Sequence, residues 1–312
     1  MYHLLTVCHA FTVSWQKMPS GPAVAGHATA VQRDRIWSFG GLTHGISTDT
    51  LWKFDGSQWE MLELGERPPK RMYASLSNYG DEGLCLAGGW DPAEPGSGGV
   101  FHNDLWIYNI STQIWTKSLQ CLKKPTSRHV SVHLQDKGLI LIHTFWNNNS
   151  VLLFDPVADT LVEQETTGEC PNGFSMQSAG IVGNKMILFG GSTRNQYMTS
   201  DTFILDLKTW TWTRKVSDPC LTSRASASMG VINDTCIIYS GGTMGQDGLT
   251  PLPELLMSNI SHDTKWNIEQ TTGPPPRVAS ALLPLRNNFF VFGGWSPKTF
   301  ETFSDVWMMV LE

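Results

Sequence analysis

Four arginines precede short segments of small residues, at intervals of roughly fifty residues or twice that. They are Arg71, Arg128, Arg224 and Arg277. Val24 and Phe174 stand near the corresponding position of two further segments. A guanidinium group binds a carboxylate through two parallel hydrogen bonds, so four of them at equivalent places would bind an acidic or carboxylate-bearing peptide. The alternative is that each arginine pairs with an aspartate of a neighbouring repeat and holds the repeats together.

A second set of polar and aromatic residues lies in the loops that follow these segments. The set comprises His44, Trp90, Trp146, Arg194 and Trp295. A tryptophan exposed in a loop is costly unless a partner covers it, and aromatic residues beside arginine often anchor protein interfaces. The alternative is that the loops fold back and bury their own tryptophans. We expect both sets on one face, where they would form a partner-binding surface.

Composition and charge limit the classes of protein to which this chain can belong. Its 312 residues are 41% hydrophobic and 16% charged, which allows one large all-β domain. The net charge of -6 argues against nucleic acid as a partner, because phosphate binding requires a basic surface. No apolar stretch reaches transmembrane length, and no signal peptide is recognised. Six cysteines without Cys-x-x-Cys spacing favour a reduced setting, in the cytoplasm or the nucleus.

The elements that position these residues are indicated by a glycine pair that recurs after short apolar runs. The pair ends the segments Arg35–Gly41, Leu84–Gly89, Met186–Gly191, Ile237–Gly242 and Phe289–Gly294. The interval is roughly fifty residues or twice that, and a repeat of this length built from short strands indicates a β-propeller. We interpret the glycines as backbone devices that supply positive φ or close approach where a strand ends.

Each repeat continues with a third strand and an outer strand. Asp104, Asp201 and Asp305 open third strands, and we expect their carboxylates to accept hydrogen bonds from local backbone amides. Most outer strands carry a tryptophan, and these residues are Trp59, Trp115, Trp212 and Trp266. We expect the tryptophans to pack between adjacent blades, because large aromatic side chains dominate contact energy between packed elements.

One repeat, residues 128–166, has lost these markers, and we call it the worn repeat. Its second strand ends in His143 and Thr144 in place of the glycine pair, and Leu161 replaces the outer tryptophan. The strand periodicity is preserved, so the segment is counted as the third blade. Without a blade here the chain would contain an implausibly long loop.

The two ends of the chain are predicted to complete one blade. The last repeat contains three strands, whereas residues 11–18 form an outer strand with Trp15 and no blade of their own. Pairing them closes the ring and removes two exposed sheet edges. The prediction is a single all-β domain, residues 1–312, folded as a six-bladed β-propeller. Its blades are residues 24–64, 71–119, 128–166, 174–216, 224–270 and 277–312, the last completed by 11–18.

The repeated residues resemble the Kelch repeat. The glycine pair, the third strand of the type Asp104-Leu105-Trp106 and the later tryptophan carry the resemblance, and their ordered copies cover nearly the whole chain. It implies a propeller with a central channel and loops on two faces. In Kelch propellers that act as peptide receptors, arginines in the column of Arg71 line the binding surface, so the resemblance implies the same role here.

An iron-dependent function is one alternative within the same fold. Plant specifier proteins are Kelch propellers with a Glu-x3-Asp-x3-His pattern that binds iron, and this chain has Glu254, Ser258 and His262 at that spacing. Serine in place of the aspartate removes one hard anionic ligand for ferrous iron. The segment also aligns with a third strand and its turn, so the match is interpreted as coincidence.

Two further metal sites are alternatives. A copper site of the galactose oxidase kind needs grouped tyrosines and histidines, and the six tyrosines form no such group. His129, His133 and His143 could bind zinc, although polar residues that line a wet channel are the more ordinary explanation. No cofactor and no catalytic residue is predicted.

The resulting prediction is a non-catalytic protein-interaction module. It would act as a partner- or substrate-recognition subunit in the cytoplasm or nucleus, binding an acidic or carboxylate-bearing peptide on one propeller face. One alternative is a specifier-like propeller that acts on a small molecule with bound iron. Another is a Kelch protein that binds the cytoskeleton, which depends on analogy between folds alone.

Overall fold

The chain folds into six antiparallel sheets arranged as the blades of a propeller. The computed structural model describes residues 12–92, 98–146, 149–195, 197–245, 248–260, 265–269 and 272–311. Within these ranges the only helical element is a short 3-10 turn, Gln135–Lys137. Over the same residues, no helix has the length and apolar character needed to cross a bilayer. The prediction of an all-β, six-bladed propeller is confirmed.

The first three blades follow one another after the N-terminal strand β1 (Val13–Met18). Blade 1 contains β2 (Ala28–Gln32), β3 (Arg35–Phe39), β4 (Leu42–Thr43), β5 (Ile46–Ser47), β6 (Leu51–Phe54) and β7 (Trp59–Leu62). Blade 2 contains β8 (Ser75–Tyr79), β9 (Gly83–Asp91), β10 (Val100–Asn109) and β11 (Ile114–Cys121). Blade 3, the worn repeat, contains β12 (Val130–Leu134), β13 (Leu139–His143), β14 (Ser150–Asp155) and β15 (Thr160–Glu165).

The last three blades have the same four-stranded plan with additions. Blade 4 contains β16 (Thr167–Gly168), β17 (Ser178–Val182), β18 (Lys185–Phe189), β19 (Thr202–Asp206) and β20 (Thr211–Lys215), with β16 parallel to β20. Blade 5 contains β21 (Ser228–Ile232), β22 (Thr235–Tyr239), β23 (Gly242–Gly245), β24 (Gly248–Pro251), β25 (Leu255–Asn259) and β26 (Asn267–Glu269). Blade 6 contains β27 (Ala281–Leu285), β28 (Asn288–Phe292), β29 (Trp295–Ser296), β30 (Glu301–Thr302) and β31 (Val306–Leu311).

The strand before each glycine pair forms the core of its blade. In β18, for example, Met186, Ile187, Leu188 and Phe189 are each at most 1% exposed. Such a strand is covered by neighbouring blades on both faces, so it is apolar throughout and does not alternate between polar and apolar residues. The uninterrupted apolar runs in the sequence are explained by this position.

The ring is closed by the N-terminal strand. β1 pairs antiparallel with β31, from Val13 opposite Leu311 to Met18 opposite Val306, and is the outer strand of blade 6. Trp15 lies 5.6 Å from the ring of Tyr239 in blade 5. The predicted closure is confirmed, and it gives β31 a partner on each side.

Outer-strand tryptophans pack on the preceding blade, as predicted. The ring of Trp115 lies 5.5 Å from that of Phe39, and Trp266 lies 5.0 Å from Phe189. In both pairs the partner is the residue before the glycine pair. The worn repeat has smaller residues at this joint, because its Leu161 packs on a cluster that includes Ala87.

The glycine pair shapes the joint between blades, which confirms its interpretation as a backbone device. Gly40 has φ +66°, and a Cβ added there would lie 2.4 Å from the carbonyl oxygen of Arg71 in the next blade. Gly41 then donates its N–H to that same oxygen at 2.8 Å. In blade 5 the first position is Ser240 (φ +57°) and the second is Gly241, one residue earlier than the sequence pattern indicates.

A ring of hydrogen bonds joins all six blades at the mouth of the central channel. Each N–H donates to the carbonyl of the equivalent residue in the preceding blade, over 2.6–3.0 Å. The residues, which we call the belt, are Gly26, Tyr73, Arg128, Met176, Ser226 and Ala279. All six have positive φ, an uncommon conformation for residues other than glycine. The belt therefore fixes the direction in which each side chain leaves the rim.

Candidate functional site

The two predicted sets of loop residues lie on one face, which we call the loop face. In five of the six blades, a bridge among the described residues joins the segment before the first strand to the loop after the second strand. The bridges join Ala25 to Leu42, Met72 to Trp90, Ser175 to Ser192, Ala225 to Gly242 and Val278 to Trp295. The prediction of a shared face is confirmed.

Three of the four predicted arginines are buried and do not reach the surface of this face. Arg71 and Arg224 are 1% exposed and Arg277 is fully buried. Arg71 donates to both carboxylate oxygens of Asp104, at 2.6 and 3.0 Å, and to the carbonyl of Gly88 at 2.8 Å. The prediction that these three arginines contact a partner is wrong, because their donors are used inside the fold.

The buried arginines pair with acids of their own blades. Arg224 bonds Glu254 at 3.0 Å, and Arg277 bonds both oxygens of Asp305 at 2.6 and 3.0 Å. The expected alternative, pairing with a neighbouring blade, is also wrong. It is the backbone of each arginine that bonds the neighbouring blade, as the glycine pair shows for Arg71. Each arginine thus anchors its own blade through its side chain and the preceding blade through its backbone.

The acids that open third strands serve these arginines, and not local amides as predicted. Asp104 also accepts a hydrogen bond from the indole of Trp106 at 2.7 Å, and Asp305 does the same with Trp307 at 2.7 Å. Burial alone would raise the pKa of Asp104, but hydrogen bonding and charge from Arg71 outweigh burial and lower the pKa. Asp201 departs from this pattern and accepts from Arg214 and Ser217.

Arg128 does not belong to this column, although the sequence places it there. Gly89 donates its N–H to the carbonyl of Thr126, as Gly41 does to Arg71, so Thr126 holds the column position of blade 3. Arg128 lies two residues further along, in the belt. Its side chain therefore starts from the rim of the channel and not from the joint between blades.

Arg128 is held by aromatic rings, and among the described residues no acid lies beside it. Its guanidinium carbon is 4.5 Å from the ring centre of Tyr73 and 5.1 Å from that of Trp90. Nη1 donates to Ser127 Oγ at 3.1 Å, and the buried Nε has no hydrogen-bond partner among the described residues. Within the same residues no carboxylate lies within 4.0 Å of its guanidinium. Burial lowers the pKa of Arg128, yet an arginine stays protonated in proteins.

Beside Arg128 the loop face contains a pocket of about 710 Å³, which we call the site pocket. This volume falls in the range of known ligand sites. Belt residues Arg128, Met176 and Ser226 contribute to its lining. Phe101 of blade 2 and Met244 of blade 5 line it as well. The pocket therefore draws on four blades, with the worn repeat and blade 4 between the outer two.

The small sheets of the loop face explain where the pocket lies. Blades 1, 5 and 6 carry the hairpins β4–β5, β23–β24 and β29–β30, and blade 2 extends β9 and β10 in the same direction. Among the described loop residues of blades 3 and 4, no comparable two-stranded sheet is present. The site pocket lies over blades 3 and 4, between Phe101 of β10 and the β23–β24 hairpin.

Trp146 and Arg194, both expected on the loop face, lie against each other at this pocket. The guanidinium carbon of Arg194 lies 4.3 Å from the ring centre of Trp146, and Lys124 Nζ lies 5.4 Å from it. Phe145 packs beside the indole at 4.3 Å. The indole N–H of Trp146 is buried and has no hydrogen-bond partner among the described residues. An aromatic surface with two cations therefore borders the site pocket.

The remaining predicted residues lie elsewhere on the face. Trp90 stacks on Phe101 at 5.8 Å and donates to the carbonyl of Gly98 at 3.1 Å, so it supports the pocket by holding Arg128. Trp295 is half-buried in the blade 6 hairpin, and His44 is exposed in the turn of the blade 1 hairpin. The structure does not bring these last two residues to the pocket. Trp90 and Trp295 are partly covered by their own loops, as the alternative expected.

The metal alternatives depend on residues that have other contacts. The carboxylate of Glu254 is bonded by Arg224, and Ser258 is buried on β25. His262, the third residue of the iron pattern, lies outside the described residues. Within the described part of the chain, no three His, Cys, Asp or Glu side chains are grouped to hold a metal ion.

Two histidines of the worn repeat are buried next to the site. His129 follows Arg128 and bonds Ser75 Oγ through Nε2 at 2.8 Å. Burial, with a smaller effect from the charge of His143, lowers the pKa of His129 to about 4. Burial also lowers the pKa of His143 to about 4. Both rings are therefore neutral at pH 7.

These histidines make the folded state sensitive to acid. Their pKa values are depressed in the folded state, so between pH 6.5 and about 4 the unfolded chain binds more protons. The free energy of unfolding should fall as pH drops through this window, by up to about 1.4 kcal/mol per pH unit for each histidine.

The substitution His143→Phe tests this effect, because His143 lies 5.5 Å from the ring of Trp212 at a joint where four other blades have phenylalanine or tyrosine. We expect the variant to keep the wild-type stability at pH 7 and to lose part of the pH dependence. Urea denaturation at pH 7 and pH 4.5 measures both quantities. An unchanged slope between the two pH values would show that His143 does not titrate in this window.

The fold and the repeated residues define a Kelch-repeat propeller. Residues 143–312 match the KLHDC2/KLHL20/DRC7 Kelch-repeats domain, which is more than half of the chain, so the chain belongs to this family. The resemblance to Kelch repeats noted in the sequence is confirmed. Kelch propellers of this kind are generally protein-interaction modules without catalytic activity.

Relatives share the repeats at low identity. Acyl-CoA-binding domain-containing protein 4 of Arabidopsis thaliana is 24% identical over 263 residues, 78% of this chain and 38% of that protein. Kelch domain-containing protein 1 of Homo sapiens is 22% identical, covering 86% of this chain and 75% of that protein. Host cell factor 2 of Homo sapiens is 23% identical, with 86% and 39% covered. The chain thus spans well under half the length of two of these relatives.

A solved structure shows the same fold. The structure of YjhT superimposes with a TM-score of 0.74 at 18% identity, covering 95% of this chain and 99% of that one. At this identity the likeness establishes the propeller and not a shared ligand.

Proposed function

We propose that this propeller is a recognition subunit that binds an acidic or carboxylate-bearing peptide in the site pocket. Arg128 receives the carboxylate. The observation that carries this proposal is the guanidinium of Arg128, which two aromatic rings hold at a pocket while no described acid neutralises it. In contrast to Arg128, the other three arginines of the predicted set each form an ion pair with an acid of the same blade.

Charge and hydrogen bonding favour a carboxylate at this place. A cation taken out of water without a counter-charge is costly, and a ligand that supplies the counter-charge recovers that free energy on binding. The rings of Tyr73 and Trp90 restrict the guanidinium plane, so little freedom remains to be lost when two parallel hydrogen bonds form. The guanidinium of Arg128 donates one hydrogen bond, to Ser127, and its other N–H groups have no acceptor among the described residues.

The rest of the pocket supplies contact area. Trp146 with Arg194 lies on one side and Met244 with Leu249 on another. An aromatic residue beside an arginine is the composition typical of the energetic centre of an interface. We assign the protein a role in a larger assembly in the cytoplasm or nucleus, with a protein as its partner, because Kelch propellers generally bind proteins.

A peptide-binding experiment tests the proposal. Fluorescence anisotropy would be measured with a panel of short peptides carrying glutamate or aspartate, each with a glutamine or asparagine twin. We expect wild-type protein to prefer the acidic member, and Arg128→Ala to weaken binding about 10- to 100-fold, the loss expected for a charged hydrogen-bonded pair.

The control is Arg33→Ala. Arg33 is an exposed arginine in the turn between β2 and β3, at the opposite end of the strands, where it pairs with Glu82. This substitution removes the same charge and should leave affinity unchanged. Equal binding of acidic and amide twins across the panel, or equal affinity of wild type and Arg128→Ala, would overturn the proposal.

A further inference from the structure

Three methionines line the part of the site pocket that blades 4 and 5 form. Met176 belongs to the belt, Met198 to the blade 4 loop and Met244 to the blade 5 hairpin, and Leu249 lies beside them. Met176 and Met198 are half-buried, and Met244 is 40% exposed. We call these four residues the methionine wall. Exposed apolar side chains grouped at a concave site indicate a surface that a ligand covers.

The wall faces a space larger than a carboxylate needs. The pocket volume of about 710 Å³ accommodates a ligand of several residues. Phe101 lines the same cavity together with the four wall residues. A ligand that placed only its anionic group at Arg128 would leave this apolar surface exposed to water. The pocket is complementary to an anionic group with an apolar side chain close to it.

Methionine also determines how selective such a wall can be. Its side chain is unbranched, has three rotatable bonds and ends in a polarisable sulfur, so it adapts to apolar groups of different shape. Surfaces rich in methionine accept many apolar partners for this reason. Branched or ring-shaped residues in the same places would form a rigid wall that favours one shape.

We infer that the ligand carries an apolar residue next to its carboxylate-bearing residue, and that the methionine wall accepts leucine, methionine or phenylalanine at that position with little discrimination. This inference rests on the proposed function, because it takes the carboxylate at Arg128 as its reference point. It adds the class of the neighbouring residue and the breadth of specificity.

The experiment uses four peptides derived from the tightest acidic peptide of the panel. They differ only in the residue beside the carboxylate-bearing one, which is leucine, methionine, phenylalanine or serine. We expect the three apolar peptides to bind about tenfold or more tightly than the serine peptide, since burying one apolar side chain has an effect of this size. Among themselves the three should differ by no more than about threefold.

Variants test whether the methionine wall causes the preference for apolar peptides. The double substitution Met198→Gln with Met244→Gln preserves side-chain length, and it should reduce the preference for apolar peptides while the serine peptide binds as before. Met61→Gln is the matched control, because Met61 is 46% exposed on β7 and lies outside the pocket. Thermal melting of each variant confirms that it is folded.

The outcomes separate this inference from the proposed function. Arg128→Ala should weaken all four peptides by the same factor, which keeps the carboxylate contact distinct from the wall. A serine peptide that binds as tightly as the leucine peptide would overturn the inference. So would a double variant that retains the full apolar preference, or a wild type that selects one apolar residue more than about tenfold over the other two. The carboxylate dependence of binding is unaffected by any of these results.

Discussion

Replacing Arg277 by alanine is expected to destabilise the protein by about 3–5 kcal/mol, because it leaves the largely buried charge of Asp305 without its cation. Arg277 donates to both oxygens of Asp305, to the carbonyl of Gly293 at 3.0 Å and to that of Pro275 at 3.0 Å. All of these acceptors lie in the interior of blade 6 or at its joint with blade 5. Urea denaturation followed by tryptophan fluorescence measures the loss.

Two further variants make the test specific. Removing both charges with Arg277→Met and Asp305→Leu should recover part of the lost stability, because apolar side chains often replace a buried ion pair at little cost. Arg33→Ala removes an arginine from an exposed pair and should change stability by no more than about 1 kcal/mol. If Arg277→Ala costs no more than Arg33→Ala, the buried arginines are not structural supports.

Deleting residues 1–18 is expected to abolish the cooperative unfolding transition. The deletion removes all six pairs between β1 and β31 and the contact of Trp15 with Tyr239. It also exposes one edge of β31, which then offers unpaired backbone groups to other chains. A domain stabilised by a net 5–15 kcal/mol, as is typical, does not tolerate the loss of a whole strand. Size-exclusion chromatography and thermal melting should show aggregation and no sharp transition.

Rescue in trans distinguishes a missing strand from general damage. A synthetic peptide with the sequence of residues 12–20 should restore a melting transition in the truncated protein, since it supplies the partner of β31. The full-length variant Gln16→Ala is the control, because Gln16 is exposed on β1 and its loss should matter by less than about 0.5 kcal/mol. A truncated protein that melts like wild type would show that the ring does not depend on β1.

Sequence repetition predicts those parts of the structure that every blade needs. Local requirements at the joints between blades explain the positions of Gly40 and Gly41, of Trp115 and of the outer strand at 13–18. A positive φ, a close approach to a carbonyl or an unpaired edge recurs at each joint, and few residue types meet these requirements. The pattern therefore identified the fold, the blade number and the ring closure.

Alignment of the repeats by residue type assigns Arg128 to the wrong column, because the position of the backbone in the ring decides which residues are equivalent. Arg71 and Arg128 both precede small residues, yet the belt shows that Arg128 is equivalent to Tyr73. A signal was present in the third strands. Asp104 opens the third strand in the blade of Arg71. In the worn repeat Ser150 opens β14, so the third strand of that blade does not begin with an acid that could pair with an arginine.

The site pocket could not be predicted from any single repeat. Phe101, Trp146, Arg194 and Met244 come from four different blades, and only the closed ring brings them together. The worn repeat coincides with part of the pocket, because Phe145 and Trp146, which follow its second strand where other blades have glycine, line the pocket together with residues of blade 4. A repeat that departs from its neighbours is free of the constraints shared by the other repeats, and function often uses such a position.

The most direct test of the central claim is a double-mutant cycle between Arg128 and the ligand carboxylate. The affinities of wild type and Arg128→Ala would be measured for an acidic peptide and for its amide twin. We predict a coupling free energy of about 1.5–3 kcal/mol, so that the amide twin binds both proteins equally. Losses that simply add, with a coupling near zero, would contradict a contact between Arg128 and the carboxylate.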